Sequence, residues 1–191
     1  SRFTNYTSGN GLAFDIVNCV MEMGDDSVWI VTNSNKINCL VNGQLKAVTL
    51  KDTTVPVINQ LHKDEKGVLY AATDQGLYFF DKDRFVKLPF IDRKGKDINL
   101  LVSYIYSFGD HLLVRRDNST LLDQRKPLYL YNKLSKKITA ETENIYAVAA
   151  AGDGRTWVST EKNIMSVDMA GLASGKIILQ ELPAAFEKIK N

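Results

Sequence analysis

Two cysteines in 191 residues exclude a disulfide scaffold, and neither Cys19 nor Cys39 lies in a Cys-x-x-Cys pair or a Cys/His cluster that would hold a metal. Both are expected as buried free thiols, because an unpaired cysteine packs like a small hydrophobe. Histidine is equally scarce. His62 and His111 are the only two, and neither has a Ser or Cys nucleophile at a recognisable motif spacing. Charge of one sign is missing too: 24 Lys and Arg stand against 22 Asp and Glu, a net charge of +2. A chain so balanced is not built to coat nucleic acid or an anionic membrane. The longest uncharged apolar stretches, such as residues 145–151, fall far short of the roughly 20 residues that span a bilayer. Ser1-Arg2-Phe3 carries no start methionine, basic n-region or apolar h-region. The expectation is that a signal peptide or flanking domains were removed ahead of residue 1.

What is present is a composition that folds: 45% hydrophobic, 24% charged and 9% aromatic residues, enough apolar material to bury a core at this length. A repeat organises it. Trp29, Tyr70, Leu113 and Trp157 are separated by 41, 43 and 44 residues, and each follows a turn-like cluster: Gly24-Asp25-Asp26, Asp64-Glu65-Lys66-Gly67, Gly109-Asp110 and Gly152-Asp153-Gly154. Three residues after the anchor stand Thr32, Thr73 and Thr160, with Arg116 in the third copy. Ahead of the anchors run two further apolar columns, Val17, Ile58, Val102 and Ile145, then Val20, Leu61, Ile105 and Val148.

Each copy reads as four short strands. Val28-Trp29-Ile30-Val31-Thr32 and Leu77-Tyr78-Phe79-Phe80 are rich in β-branched and aromatic residues. Asn42-Gly43 is the strongest hairpin signal between them. Four strands repeated at this period match a β-propeller blade, which buries its faces only against neighbouring blades. The fold expected is therefore all-β, a single partial propeller over 1–191 with blades at roughly 11–50, 55–90, 98–141 and 144–182, cut from a larger propeller. Residues 1–8, containing Phe3-Thr4-Asn5-Tyr6, are expected as the outer strand of a preceding blade. Helix is expected only at 184–190.

The pattern of apolar strand, Asp/Gly turn, aromatic-x-x-Thr, then Gly-Leu and a closing Phe-x-x-Tyr strand resembles the two-component regulator propeller repeat. It reads Phe3-Thr4-Asn5-Tyr6, Gly11-Leu12, Val17 and Trp29-Ile30-Val31-Thr32 in the first copy, and Tyr70-Ala71-Ala72-Thr73-Asp74-Gln75-Gly76-Leu77 in the second. Copy three departs, with Leu113 and Arg116, and copy one lacks the Gly-Leu after Thr32. The resemblance implies the periplasmic sensor region of a Bacteroides-type hybrid histidine kinase, in which propellers precede a β-sandwich, a membrane helix and the kinase. It further implies an oligosaccharide ligand, with any kinase activity outside this chain.

Candidate chemistry is weighed against the repeat. The two histidines and the recurrent turn acids read as structural, short polar side chains being natural caps of tight turns. Trp29 and Trp157 sit in a repeated column and read as blade-to-blade packing rather than sugar platforms. No catalytic residue, metal or cofactor is expected. The insertion is more informative: from the Thr position to the next apolar column takes 4 or 5 residues in three copies but 12 in copy three, from 116 to 128. Loops between the second and third strands share a face with the inter-blade connections, and loops concentrate binding residues. Arg116, Arg125 and Lys126, with Tyr104 from the first-strand column of Cys19, Gln60 and Ala147, are the candidate ligand contacts, since guanidinium forks suit hydroxyls and anionic substituents. The other function in view is a protein-interaction or homodimerising propeller module without a small ligand. No nucleic-acid partner and no membrane contact by this segment are expected.

Overall fold

The computed structural model describes residues 3–51, 55–117, 127–142, 145–150 and 155–181. Its strands form four four-stranded antiparallel sheets, each a simple meander in chain order. The first holds β1 (Val17–Gly24), β2 (Ser27–Thr32), β3 (Ile37–Val41) and β4 (Gln44–Ala47). The second holds β5 (Ile58–Lys63), β6 (Leu69–Thr73), β7 (Gly76–Asp81) and β8 (Arg84–Leu88). The third holds β9 (Val102–Phe108), β10 (His111–Arg116), β11 (Leu128–Asn132) and β12 (Lys137–Thr142). The fourth holds β13 (Ala147–Ala150), β14 (Thr156–Ser159), β15 (Ile164–Val167) and β16 (Leu179–Glu181). All four anchors fall on the second strand of their sheet, and Trp29, Tyr70, Leu113 and Trp157 face Cys39, Phe79, Leu130 and Ser166 on the third.

The turns follow from residue type. Asn42 and Gly43 have φ of 50° and 74°, and Asp25 and Asp26 have φ of 51° and 53°. Both pairs thus adopt the left-handed conformations that let a two-residue loop match the twist of its strands, which Asn, Asp and Gly tolerate best. Asp64 works differently: its Oδ1 accepts from the backbone N–H groups of Lys66 and Val68 at 3.0 and 2.8 Å.

The chain divides into two compact units, Ser1–Leu88 with Asn99–Ile105, and Pro89–Ile98 with Tyr106–Asn191. In the first unit Val31 and Ile37 pack with Ile58, Leu61, Leu69, Ala71 and Phe85, flanked by Met21 and Trp29. The Trp29 ring meets Phe80 edge-on at 5.4 Å. In the second unit Leu113, Leu128 and Leu130 pack with Ile145, Val158, Val167 and Leu172. There residues 89–98 form a small hairpin on the outer edge of the third sheet, where Ile91 bridges Lys137 and accepts the Ile138 N–H at 2.9 Å. Phe90 stacks on the buried Tyr131 at 5.3 Å.

A polar motif recurs between the inner strands of the first unit. Asn18 and Asn59 are the unpaired residues of matching β-bulges, between Val17 and Cys19 and between Ile58 and Gln60. A bulge re-aims its side chain. Accordingly Asn18 Nδ2 donates to the Ile58 carbonyl at 2.9 Å, and Asn59 Nδ2 to the Val102 carbonyl at 2.8 Å. Two residues after each column the pattern repeats in reverse: Leu61 N–H donates to Cys19 Sγ at 3.4 Å and Ile105 N–H to Gln60 Oε1 at 2.7 Å. β1 is thereby fastened to β5, and β5 to β9, by an amide donor and an acceptor on adjacent residues that reach backbone groups three residues apart. Asn59→Ala strands a buried carbonyl and is expected to cost about 1 kcal/mol in urea unfolding, with Asn18→Ala close to it.

Three expectations need correction. A short helix α1 (Met169–Ala173) stands in the β15–β16 connection, capped by Asp168, whose Oδ2 accepts the Gly171 N–H at 2.9 Å. Five residues are too few to show a 3.6-residue period, and only the Asp cap signals them; residues 184–190 lie outside the described residues. Residues 3–7 form no strand, and Ser8–Asn10 make a 3-10 turn. A strand needs a ladder partner, and here the Tyr6 hydroxyl donates instead to the Gly43 carbonyl at 3.0 Å. Cys19 and Cys39 are free, on β1 and β3 with β2 between them, but half-buried rather than buried.

Candidate functional site

The ends of the second strands, where the Thr column breaks, are the natural place to look for a site. The Thr73 hydroxyl donates to the Gly76 carbonyl at 2.8 Å and accepts the Gln75 N–H at 3.1 Å. Thr160 does the same with the Asn163 carbonyl and N–H, both at 3.0 Å. Thr32 reaches Ser34 Oγ at 2.9 Å. The column is therefore a cap for a short hairpin turn, a role for which Ser and Thr hydroxyls are suited. In copy three Arg116 stands in place of the Thr, where twelve residues rather than four or five lead to the next apolar column.

At the base of that loop the Arg116 N–H donates to the Pro127 carbonyl at 3.0 Å, continuing the β10–β11 ladder. Arg115 Nη2 meets Asp117 Oδ2 at 3.1 Å, a partly buried pair at the end of β10. Arg116 is half-buried and makes no ion pair among the described residues. Arg125 and Lys126 lie outside the described residues. Tyr104 is half-buried on β9, in the column whose members Cys19 and Gln60 accept backbone N–H groups from the next inner strand. Tyr104 and Arg116 belong to different compact units.

Elsewhere the titratable groups serve the framework. His111 faces Asn132 across the β10–β11 ladder, its Nε2 at 3.2 Å from Asn132 Nδ2, and burial holds its pKa below the usual imidazole range. His62 pairs with Tyr70 across β5 and β6. Burial raises the Cys19 thiol pKa, partly offset by the Leu61 N–H. No group of three or more His, Cys, Asp or Glu able to hold a metal occurs among the described residues. In the first unit an open groove of about 330 Å³ lies beside the β2–β3 turn, its floor made by Ile37, Val48, Leu50 and Val55 and its rim by Asn35 and Lys36. The Trp157 ring, half-buried, lies under the Arg155 guanidinium at 5.8 Å.

Sequence reasoning missed the Asn18 and Asn59 fasteners, although a signal was present. An asparagine directly follows the first apolar column in two successive copies.

No protein-family model matches the chain, and no curated protein sequence does. Solved structures do. The chain is similar to the extracellular domains of two hybrid two-component systems of B. thetaiotaomicron. The first is 13% identical with a TM-score of 0.60, over 89% of this chain and 25% of that one. The second is 16% identical with a TM-score of 0.58, over 92% of this chain and 23% of that one. It is also similar to a gluconolactonase, 11% identical with a TM-score of 0.64, over 89% of this chain and 64% of that one. The chain thus spans about a quarter of each sensor-system domain. At such identities the likeness concerns the fold, and the fold is a propeller-type arrangement of four-stranded sheets, as the repeat predicts.

Proposed function

We propose that this chain is part of the extracytoplasmic, ligand-sensing region of a two-component regulator, and that its ligand is an oligosaccharide. The observation that carries the reading is the likeness of nine-tenths of the chain to extracellular domains of hybrid two-component systems, in agreement with the repeat. In this reading the segment binds and does not catalyse, and its partners are the rest of the propeller and the output domains of the same protein. The framework roles of His62 and His111 support a non-catalytic segment, although an enzyme, the gluconolactonase, shares the fold.

The ligand contacts proposed are Tyr104, Arg116, Arg125 and Lys126. Arg116 supports this choice because its guanidinium is not spent on an ion pair among the described residues, at the mouth of the one hairpin that departs from the short-turn rule. Polar contacts of this kind contribute on the order of 1 kcal/mol each, somewhat more when charged. Replacing Arg116 and Arg125 together by alanine is expected to weaken oligosaccharide binding roughly tenfold or more by calorimetry, with the melting temperature nearly unchanged. Unchanged affinity in the full sensor domain, measured with its inducing sugar, would move the ligand to other blades.

A further inference from the structure

The connection from β8 to β9 is a second departure from the blade plan, and it is divided in character. At its base Phe90 is 3% exposed and stacks on Tyr131, and Ile91 bridges Lys137 of β12. Its tip, Arg93-Lys94-Gly95-Lys96, is exposed throughout. Backbone bonds order that tip. Asp92 Oδ1 accepts the N–H groups of Lys94 and Lys96, each at 2.8 Å, and the Gly95 N–H donates to the Asp92 carbonyl at 3.0 Å. Asp97 Oδ1 accepts the Phe90 N–H at 3.1 Å. The carboxylates that flank the tip thus serve the backbone, and Arg93, Lys94 and Lys96 make no ion pair among the described residues. Three cations within four residues stand on a turn that is already ordered, which lowers the cost of fixing them against a ligand.

The strand register places this tip on the same margin of the third sheet as Arg116. Arg115, Leu128 and Thr142 face one another across β10, β11 and β12, so Arg116 stands at the end of the sheet where β12 finishes. The hairpin runs parallel to β12 from the Ile91–Lys137 bridge, and Arg93 Nη2 donates to the Thr139 carbonyl at 3.5 Å. The turn that follows therefore points toward that same end. Arg116, β12 and the hairpin all belong to one compact unit. From β10 to the hairpin is three strand spacings, about 14 Å across the sheet and roughly the length of three linked pyranose rings. Between them on β12 stands the exposed Glu141.

We propose that the hairpin tip is a second anionic subsite of the ligand surface that begins at Arg116, and that the ligand is an acidic oligosaccharide of at least three sugars. Its carboxylate or sulfate groups sit far enough apart to meet Arg116 and the tip at once. A single small anion needs donors that converge on it, whereas cations held apart along a sheet margin complement a chain that bears charge at intervals. A neutral glycan gains little from the tip, because an ammonium group is strongly hydrated and gives up that water readily only to an anion. Glu141 adds discrimination by repelling a charge at the middle of the ligand. The inference rests on the proposed sensing role and names the class of its ligand.

Calorimetry on the chain tests it, with tetragalacturonate as a carboxylate probe, a heparin-derived tetrasaccharide as a sulfate probe, digalacturonate as a short one and galactotetraose as a neutral one. The tighter of the two acidic tetrasaccharides identifies the anionic group. Lys94→Gln with Lys96→Gln keeps the backbone bonds of the tip and is expected to weaken that tetrasaccharide about fivefold. Digalacturonate, too short to span both subsites, is expected to bind the double variant and the natural chain alike, whereas Arg116→Ala weakens both lengths. In 1 M salt, where screening acts within about 3 Å, the difference between natural chain and double variant is expected to vanish. Glu141→Gln is expected to tighten the acidic tetrasaccharide about twofold, a gain that a damaged fold does not mimic. A double variant that binds the acidic tetrasaccharides like the natural chain overturns the proposal, as does weaker binding in Glu141→Gln. Galactotetraose bound as tightly as the acidic probes overturns it too and leaves the sensing role standing. A chain that binds none of the four saccharides counts against the sensing role itself, and the proposal falls with it.

Discussion

Replacing Leu113 by alanine is expected to destabilise the protein by about 3 kcal/mol in urea unfolding, among the larger effects of any single truncation. Leu113 is fully buried, faces Leu130 across the β10–β11 ladder and packs with Leu128, Ile145 and Val158. Removing its side chain leaves a cavity walled by strands that cannot collapse inward without breaking their ladders. Its position makes a sharper test available. The repeat places an aromatic residue there in the other three copies, so Leu113→Trp restores the pattern. Trp29 and Trp157, however, are only half-buried, whereas Leu113 is fully buried within its cluster. Overpacking is expected to cost about 1 to 3 kcal/mol, so the pattern-restoring variant should be less stable than the natural protein. A stabilised Leu113→Trp would mean that the third sheet has room for the larger ring.

The period of the anchors and the strands of each copy were legible because the same local rule recurs from copy to copy, and the Asn42-Gly43 turn because those residues tolerate positive φ. A side chain that must pack between sheets recurs at the blade period, whereas the matching turns of the second and third copies place Lys82 and Lys136 at positive φ, which residue type alone does not signal. The Thr column was legible as a column but not as a cap, since recurrence reveals that a position is constrained and not by which contact. Only the hydroxyl geometry at Thr73 and Thr160 ties it to the short turn that follows. The helix α1 escaped for the opposite reason. It occurs once, it is too short for periodicity, and its cap Asp168 looks like any other turn acid. The candidate ligand contacts were least legible of all, because a loop that departs from the repeat is released from the constraints that make the rest readable.

Replacing Asp64 by alanine is the second change with a large expected effect, about 3 kcal/mol. Asp64 is buried, and its carboxylate accepts the Lys66 and Val68 N–H groups and the Tyr70 hydroxyl, so truncation strands several donors at once. Asp64→Asn keeps an oxygen for the turn and should cost about 1 kcal/mol. The same contact predicts how the protein meets alkali. Burial first, and then the charge and hydrogen bond of Asp64, push the Tyr70 pKa from 10 up to about 12. The phenol therefore holds its proton in the folded state over a range where the unfolded chain gives it up, so this contribution is complete below pH 10 and disappears as pH climbs from 10 to 12. Discounted for the water that reaches the hydroxyl end, it is on the order of 1 kcal/mol. Tyr70→Phe gives up the hydrogen bond at neutral pH but has no proton to lose. The gap in unfolding free energy between natural protein and Tyr70→Phe should accordingly narrow across that alkaline window, and two curves that stay parallel through it would show that the phenol ionises at its ordinary pKa.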